Sequence, residues 1–197
     1  MKRLPVLVVA VALSCGACKS KEDPAWALRG AAVPGAPNDV DPITVLPLAI
    51  AQTKKHLDVK EPELISIRMV GVAASGHMDL KGCDTSISYR FAVRKDAERM
   101  AAAATVGGDG MYTPVFEATS NIKNGGVAIP PPHCAVDEVR RAVVAAGAKD
   151  DACTLQLEYT RIADPEITWF QGIGWRTFGP AGPIVVDDAT CAFVAKR

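Results

Sequence analysis

The chain lacks a charge surplus, has few histidines and aromatics, and contains no apolar run long enough to cross a bilayer. Its 22 basic residues balance 22 acidic ones among 197 residues. Nucleic-acid binding rests on Lys and Arg neutralising phosphates, so this balance disfavours it. Past residue 40 there is no C-x-x-C or H-x₃-H spacing of the kind structural zinc sites show. The glycine cluster at 107–110 lacks the Lys-Ser/Thr of a phosphate loop. No cofactor motif and no metal set is legible, and no catalytic residue can be named.

What is present begins at the N-terminus. Lys2 and Arg3 precede a ten-residue apolar run at 4–13. A helix needs about 20 apolar residues to span a bilayer, so the run has the length of a signal-peptide core. Leu13-Ser14-Cys15-Gly16-Ala17-Cys18 follows it. This stretch resembles the lipobox of bacterial lipoproteins, in which a cysteine after small residues is lipidated and becomes the new N-terminus. The resemblance implies lipidation, palmitate included, at Cys15, with Cys18 as the alternative, and cleavage of residues 1–14. It implies a lipid-anchored place in the bacterial cell envelope, at the periplasmic face or the outer membrane. One acyl chain holds a membrane only marginally, and the family's modification supplies several. Ordinary secretion with two incidental cysteines is the plainer reading.

Removing Lys2 and Arg3 leaves 20 basic residues against 22 acidic. Residues 15–40, rich in Ala, Pro and Gly from 20 onward, read as a flexible tether. Its reach is about 25 Å. Trp26 stands alone in it and reads as an incidental aromatic, with an interfacial contact as the alternative.

Four cysteines follow: Cys83, Cys134, Cys153 and Cys191. An even number in an exported domain suggests disulfides. Cys134 with Cys153 is disfavoured. A helix of about 12 residues, about 18 Å long, carries the chain away from Cys134, and a bridge needs Cα atoms within about 7 Å. The remaining pairings are 83–134 with 153–191, or 83–153 with 134–191. The first is preferred because it joins the two halves and staples the C-terminal sheet.

The pattern along the domain predicts an α+β fold, helices packed on an antiparallel sheet. Ile43, Leu46, Ile50 and Leu57 have helical spacing, with Pro47 confined to the first turn. A strand follows at 64–72, with Ile65, Ile67 and Met69 inward. A cleaner one lies at 85–93, with Ile87, Tyr89, Phe91 and Val93 inward. Residues 95–105 suit a short helix, and 111–118 a weaker strand. The turn residues of 120–134 read as a linker. The pattern then restarts. Val136, Val139 and Val143 stripe a helix at 135–146 that Gly147 stops. Cys153, Leu155, Leu157 and Tyr159 share a face of a strand at 153–162, and 167–178 reads as a long aromatic strand. Residues 183–186 and 191–195 complete the sheet. Two units result, 41–119 and 135–197. Their helix–strand–strand order admits a duplication, with Ile87-Ser88-Tyr89 answering Ile167-Thr168-Trp169.

The helix at 135–146, the strand carrying Trp169 and Trp175, and the ending Ile184-Val185-Val186-Asp187-Asp188-Ala189-Thr190 resemble a PepSY-type domain. In this chain Asp188 is an extra residue, and Cys191 stands where that family has Gly. The resemblance implies a non-catalytic role, binding or modulating an envelope protein.

The reactive residues are mostly explained without chemistry. His133 beside Cys134 offers a base and a nucleophile, yet adjacent residues rarely face each other, and a disulfide accounts for the cysteine. Asp187 and Asp188 could pair for acid–base work or calcium; turn formation is the simpler reading. His77, after Ser75 and Gly76, has no Asp partner in a motif and reads as a loop residue. Zinc on His133, Cys134, Cys83 and Asp84 lacks the spacing. In the aromatic strand, alternation puts Trp169, Ile173 and Trp175 toward the helix. Phe170 and Phe178 fall on the other face, beside Gly172 and Gly174. That leaves a flat strip suited to a peptide strand or a sugar ring, unless each half covers one face. The expectation is a monomeric, non-enzymatic binding or accessory module with no cofactor. Its partners would be the membrane, through the anchor, and another envelope protein or peptide. A hydrolase-like enzyme with scattered site residues and a purely structural protein are the alternatives.

Overall fold

The structure, a computed structural model, describes residues 38–108, 110, 112–117 and 126–196. The expected signal peptide, Cys15, Cys18 and Trp26 lie outside these residues. Among the described residues no helix is long and apolar enough to cross a membrane.

Among the described residues two helices pack on one eight-stranded, wholly antiparallel sheet. Helix α1 (Leu46–Leu57) precedes β1 (Lys60–Val70), β2 (Ser86–Lys95), β3 (Glu98–Val106) and β4 (Tyr112–Phe116). Helix α2 (Val136–Ala145) precedes β5 (Gln156–Ile162), β6 (Gly172–Gly179), β7 (Gly182–Asp187) and β8 (Ala192–Val194). The strand order is β4-β3-β2-β1-β5-β6-β7-β8, so each half is a meander running outward from a central β1–β5 seam. Three buried positions stand at the same intervals in both helices, Leu46, Ala49 and Thr53 in α1 and Val136, Val139 and Val143 in α2, while Gln52 and Leu57 in α1 and Arg140 in α2 are buried without a counterpart. At the seam Arg68 faces Glu158, and each of these lies 22 residues after the start of its own helix.

The helices form where the periodicity puts them. Pro47 sits in the first turn of α1, where its missing N–H costs nothing. Asp41 accepts from the Ile43 N–H and the Thr44 hydroxyl, holding the preceding turn. Lys54, Lys55 and His56 occupy the last turn, next to the helix's negative pole. One hydrophobic cluster runs through both halves, from Ile67, Tyr89 and Phe91 to Leu157, Tyr159 and Trp175.

Several expectations are corrected. Residues 95–105 form no helix. Asp96 and Ala97 both have positive φ and close a tight β2–β3 hairpin with Lys95 opposite Glu98. Ala102 and Ala104 lie opposite Phe91 and Tyr89. Small residues there leave room for the large rings, and that packing overrides alanine's helix preference. In β1 a register shift between Leu64 and Ser66 turns Ile65 out of the core, so Leu64, Ile67 and Met69 are the buried set. The strand expected at 167–178 starts only at Gly172. Ile167 to Trp169 therefore has no strand geometry with which to answer Ile87 to Tyr89 in β2. Cys153 lies before β5 and is exposed rather than inward.

The disulfides take the pairing ranked second. Cys83 joins Cys153 and Cys134 joins Cys191, with Cα separations of 5.3 and 5.5 Å. The preferred pairing reasoned from joining halves and stapling the sheet. The observed one does both in a different way. The first bridge ties the loop before β2 to the loop before β5, and the second ties the start of α2 to the β7–β8 turn. All four domain thiols are thereby used, and none remains as a zinc ligand or a nucleophile.

Candidate functional site

Among the described residues both helices lie on one face of the sheet, and the other face carries no helix. Cross-strand partners in an antiparallel sheet share a face. On the uncovered side one row runs unbroken over all eight strands: Thr113, Thr105, Ser88, Arg68, Glu158, Arg176, Val185, Val194. The neighbouring row includes Arg90, Ser66, Thr160 and Gly174. Alternation along the strands makes this face polar by the same rule that makes the other apolar.

The charges at its centre are mostly matched. Arg176 pairs with Glu158 at 2.7 Å and with Asp164 at 3.3 Å. Arg90 forks onto Glu117, with contacts of 2.7 to 3.1 Å. Arg68 is the exception. It donates from Nη2 to the Gln156 side-chain oxygen at 3.0 Å, and among the described residues no carboxylate lies within ion-pair reach. A cleft of about 470 Å³ opens here, lined by Arg68, Lys149, Gln156, Glu158, Arg176 and Phe178. A second hollow of about 580 Å³ continues it across Ser66, Ser88 and Arg90, with Arg68 and Glu158 common to both. Lys149 pairs with Asp151 at 3.1 Å. The Asp151 carboxyl is held down at about 2, first by the Cys153 N–H and then by Lys149 and Thr154.

The aromatic strip differs from its expectation. Phe178 is on the uncovered face and is 67% exposed. Phe170 is on that face but folds back, its ring lying against Gly172 and Gly174 where a side chain would collide. The flat strip is thus filled by the chain's own Phe170, which joins Ile162, Ile167 and Val185 in a small outer cluster. Trp169 belongs to that cluster too, not to the helix side. It also lines a separate pocket of about 460 Å³ near the β8 edge, with Lys196 over its ring at 5.2 Å.

Asp187 and Asp188 separate into two roles. Asp187 makes the turn, accepting from the Ala189 N–H and the Thr190 hydroxyl. Asp188 is buried and serves as a hub. Its carboxylate accepts from the His133 and Cys134 N–H groups and from the Trp175 indole N–H at 3.0 Å. The Tyr159 hydroxyl lies 3.3 Å from it and 3.0 Å from the Pro130 carbonyl. Helix α2 has Ala135 at its N-cap and no side-chain cap. A carboxylate brought from the β7–β8 turn therefore supplies negative charge at the positive end of the helix. Burial, and then Asp188, push the Tyr159 hydroxyl well above its usual range.

His77 does gain a carboxylate partner, Asp39, at 2.6 Å from Nδ1. No triad results. The Ser75 hydroxyl accepts from the His77 main-chain N–H instead of bonding the ring. The sequence reading missed Arg68, Gln156 and Arg176 as a set. The signal was available: alternation placed Arg68 and Arg90 outward, but nothing in the sequence said that β1, β5 and β6 are neighbours.

Comparison of the chain with protein-family models, with curated proteins and with solved structures finds no match.

Proposed function

We propose that this chain is a bacterial envelope lipoprotein whose domain acts without catalysis, as a binding or accessory module docking through the helix-free face of its sheet. Cys15 carries the lipid, the residues before Asp39 form the tether, and the face around Arg68 and Phe178 meets the partner; the tether ends sooner than expected because Asp39 pairs with His77 and the buried Val40 bridges to Met78. The observation that carries the docking role is that open face. A row that is polar over six of the strands, from Thr113 on β4 to Arg176 on β6, crosses it, and Phe178 stands 67% exposed beside a cleft of about 470 Å³. Aromatic side chains are enriched at protein interfaces relative to the rest of the surface, and Phe178 adjoins a cleft that a partner could fill. Two disulfides fit an oxidising compartment outside the cytoplasm.

The matching helix-to-seam spacing and the matching buried positions of α1 and α2 support an origin by duplication, with each half a helix followed by a four-strand meander. The second half, a helix on antiparallel strands ending in the Asp187 turn, is also compatible with the PepSY-type resemblance.

Two measurements test the reading. Mass spectrometry of the mature N-terminus is expected to find an acylated Cys15; an unmodified terminus would remove the anchor. Pull-down from envelope extract with the Phe178→Ser chain is expected to lose partners that the parent retains. An unchanged set of partners would remove the face from the proposal.

A further inference from the structure

The cleft beside Phe178 carries more than a docking role in general. Arg68 stands at its centre with one of five guanidinium donors used, on a neutral amide oxygen. Its neighbours are already satisfied: Arg176 by Glu158 and Asp164, Lys149 by Asp151. The cleft lining holds three cationic groups, Arg68, Lys149 and Arg176, against one carboxylate, Glu158. An incoming carboxylate would meet a planar fork with free N–H groups and would displace no existing ion pair. Charge-assisted pairs of that kind are both stronger and more directional than neutral hydrogen bonds.

Phe178 adds a second element. It projects from β6 on the same face, two strands from Arg68, with Gln156 of β5 lining the cleft between them. Two inter-strand spacings amount to about 10 Å. Long side chains converge over that distance, so a ligand can place a carboxylate on Arg68 while an aromatic ring lies on Phe178.

We infer that the Arg68–Phe178 cleft recognises an acidic segment of a partner protein, a Glu or Asp side chain followed within a few residues by an aromatic one. The inference rests on the docking role proposed for this face and names the chemistry of the partner. Arg68 selects the carboxylate and Phe178 the ring. The rest of the charged row, already paired, sets the borders of the site.

Amide chemical shifts of the full chain, titrated with capped Glu-Gly-Phe and capped Gln-Gly-Phe peptides, test this. The Glu peptide is expected to move Gln156, Arg176 and Phe178. The Gln peptide, and the Arg68→Gln chain with the Glu peptide, are expected to bind about tenfold more weakly. The exposed Arg68→Gln variant should melt as the parent does, which separates lost binding from lost folding. Equal binding of the two peptides would overturn carboxylate selection. Inorganic phosphate or phosphatidylglycerol vesicles moving the same amides, with the same loss in Arg68→Gln, would overturn a protein segment as the source. No response to the Glu peptide, alongside Phe178-dependent pull-down, would reject this chemistry and leave the docking face standing.

Discussion

The two faces of the sheet are made by the same strands and handle polar atoms in opposite ways. On the helix side, Tyr89, Tyr112, Tyr159 and Trp175 are fully buried, and each polar tip reaches a fixed acceptor. Tyr89 donates to the Pro42 carbonyl and Tyr112 to that of Val45. Trp175 donates to Asp188, and Tyr159 lies beside Asp188 and Pro130. On the open side, Arg68, Arg90 and Arg176 answer polar groups of neighbouring segments and stay in reach of water, while the Ser66 hydroxyl is buried without a partner. Burial without a partner costs about 1–3 kcal/mol per group, so the helix side gives its large aromatic donors acceptors, while the buried Thr53 hydroxyl of α1 is left without one. Water relaxes that demand on the other side. Stability should therefore reside on one face and recognition on the other.

The largest break in that contrast is expected at Trp175. Trp175→Ala empties the centre of the second half and should cost about 3–5 kcal/mol in urea unfolding. Asp188→Ala should follow at about 3 kcal/mol, because it strands the His133, Cys134 and indole N–H groups. Asp188→Asn retains an acceptor oxygen and should lose less. Equal midpoints for parent and Asp188→Ala would show that the hub is not holding the helix side together.

Alkaline pH should sharpen the contrast. All three tyrosines lie on the helix side, and burial pushes each above 10.0, the ordinary tyrosine value. A raised value in the folded chain means the neutral form is favoured there. The stability it contributes is complete below pH 10 and falls as pH rises past it. Phenolate absorbance should therefore rise together with loss of structure, not before it. Titration of any tyrosine in the intact fold near pH 10 would contradict this.

The smallest effect is expected on the open face. Arg176→Gln removes two half-exposed ion pairs and should cost less than about 1 kcal/mol, shrinking further in salt. A loss as large as that of Asp188→Ala would erase the division between the faces.

The legible parts of the fold are those where one period dominated. Val136, Val139 and Val143 announced α2, and Ile87, Tyr89, Phe91 and Val93 announced the inward face of β2. Where a second influence intervened, the pattern misled. The extra residue at Ile65 reversed half of β1, and the Ala-rich run became β3 because the rings of β2 needed small neighbours. Phe170 and Trp169 were assigned to faces by assuming a strand that their turn interrupts. The site was least legible of all. Asp188 reads as a turn residue because its donors are supplied from 54 or 55 positions away, by His133 and Cys134. Arg68 gains meaning only once β5 and β6 lie beside it.

The central seam also orders events in time. Ile67 and Tyr159 are paired there, so β1 has no neighbour on one edge until the ribosome has delivered most of the chain. An open strand edge is a template for pairing with another molecule. That edge stays unfilled until the second half is made, and arrival of β5 closes it. The Cys83–Cys153 link lies between the loops that feed the seam, so its oxidation fastens the two halves where the delay occurs.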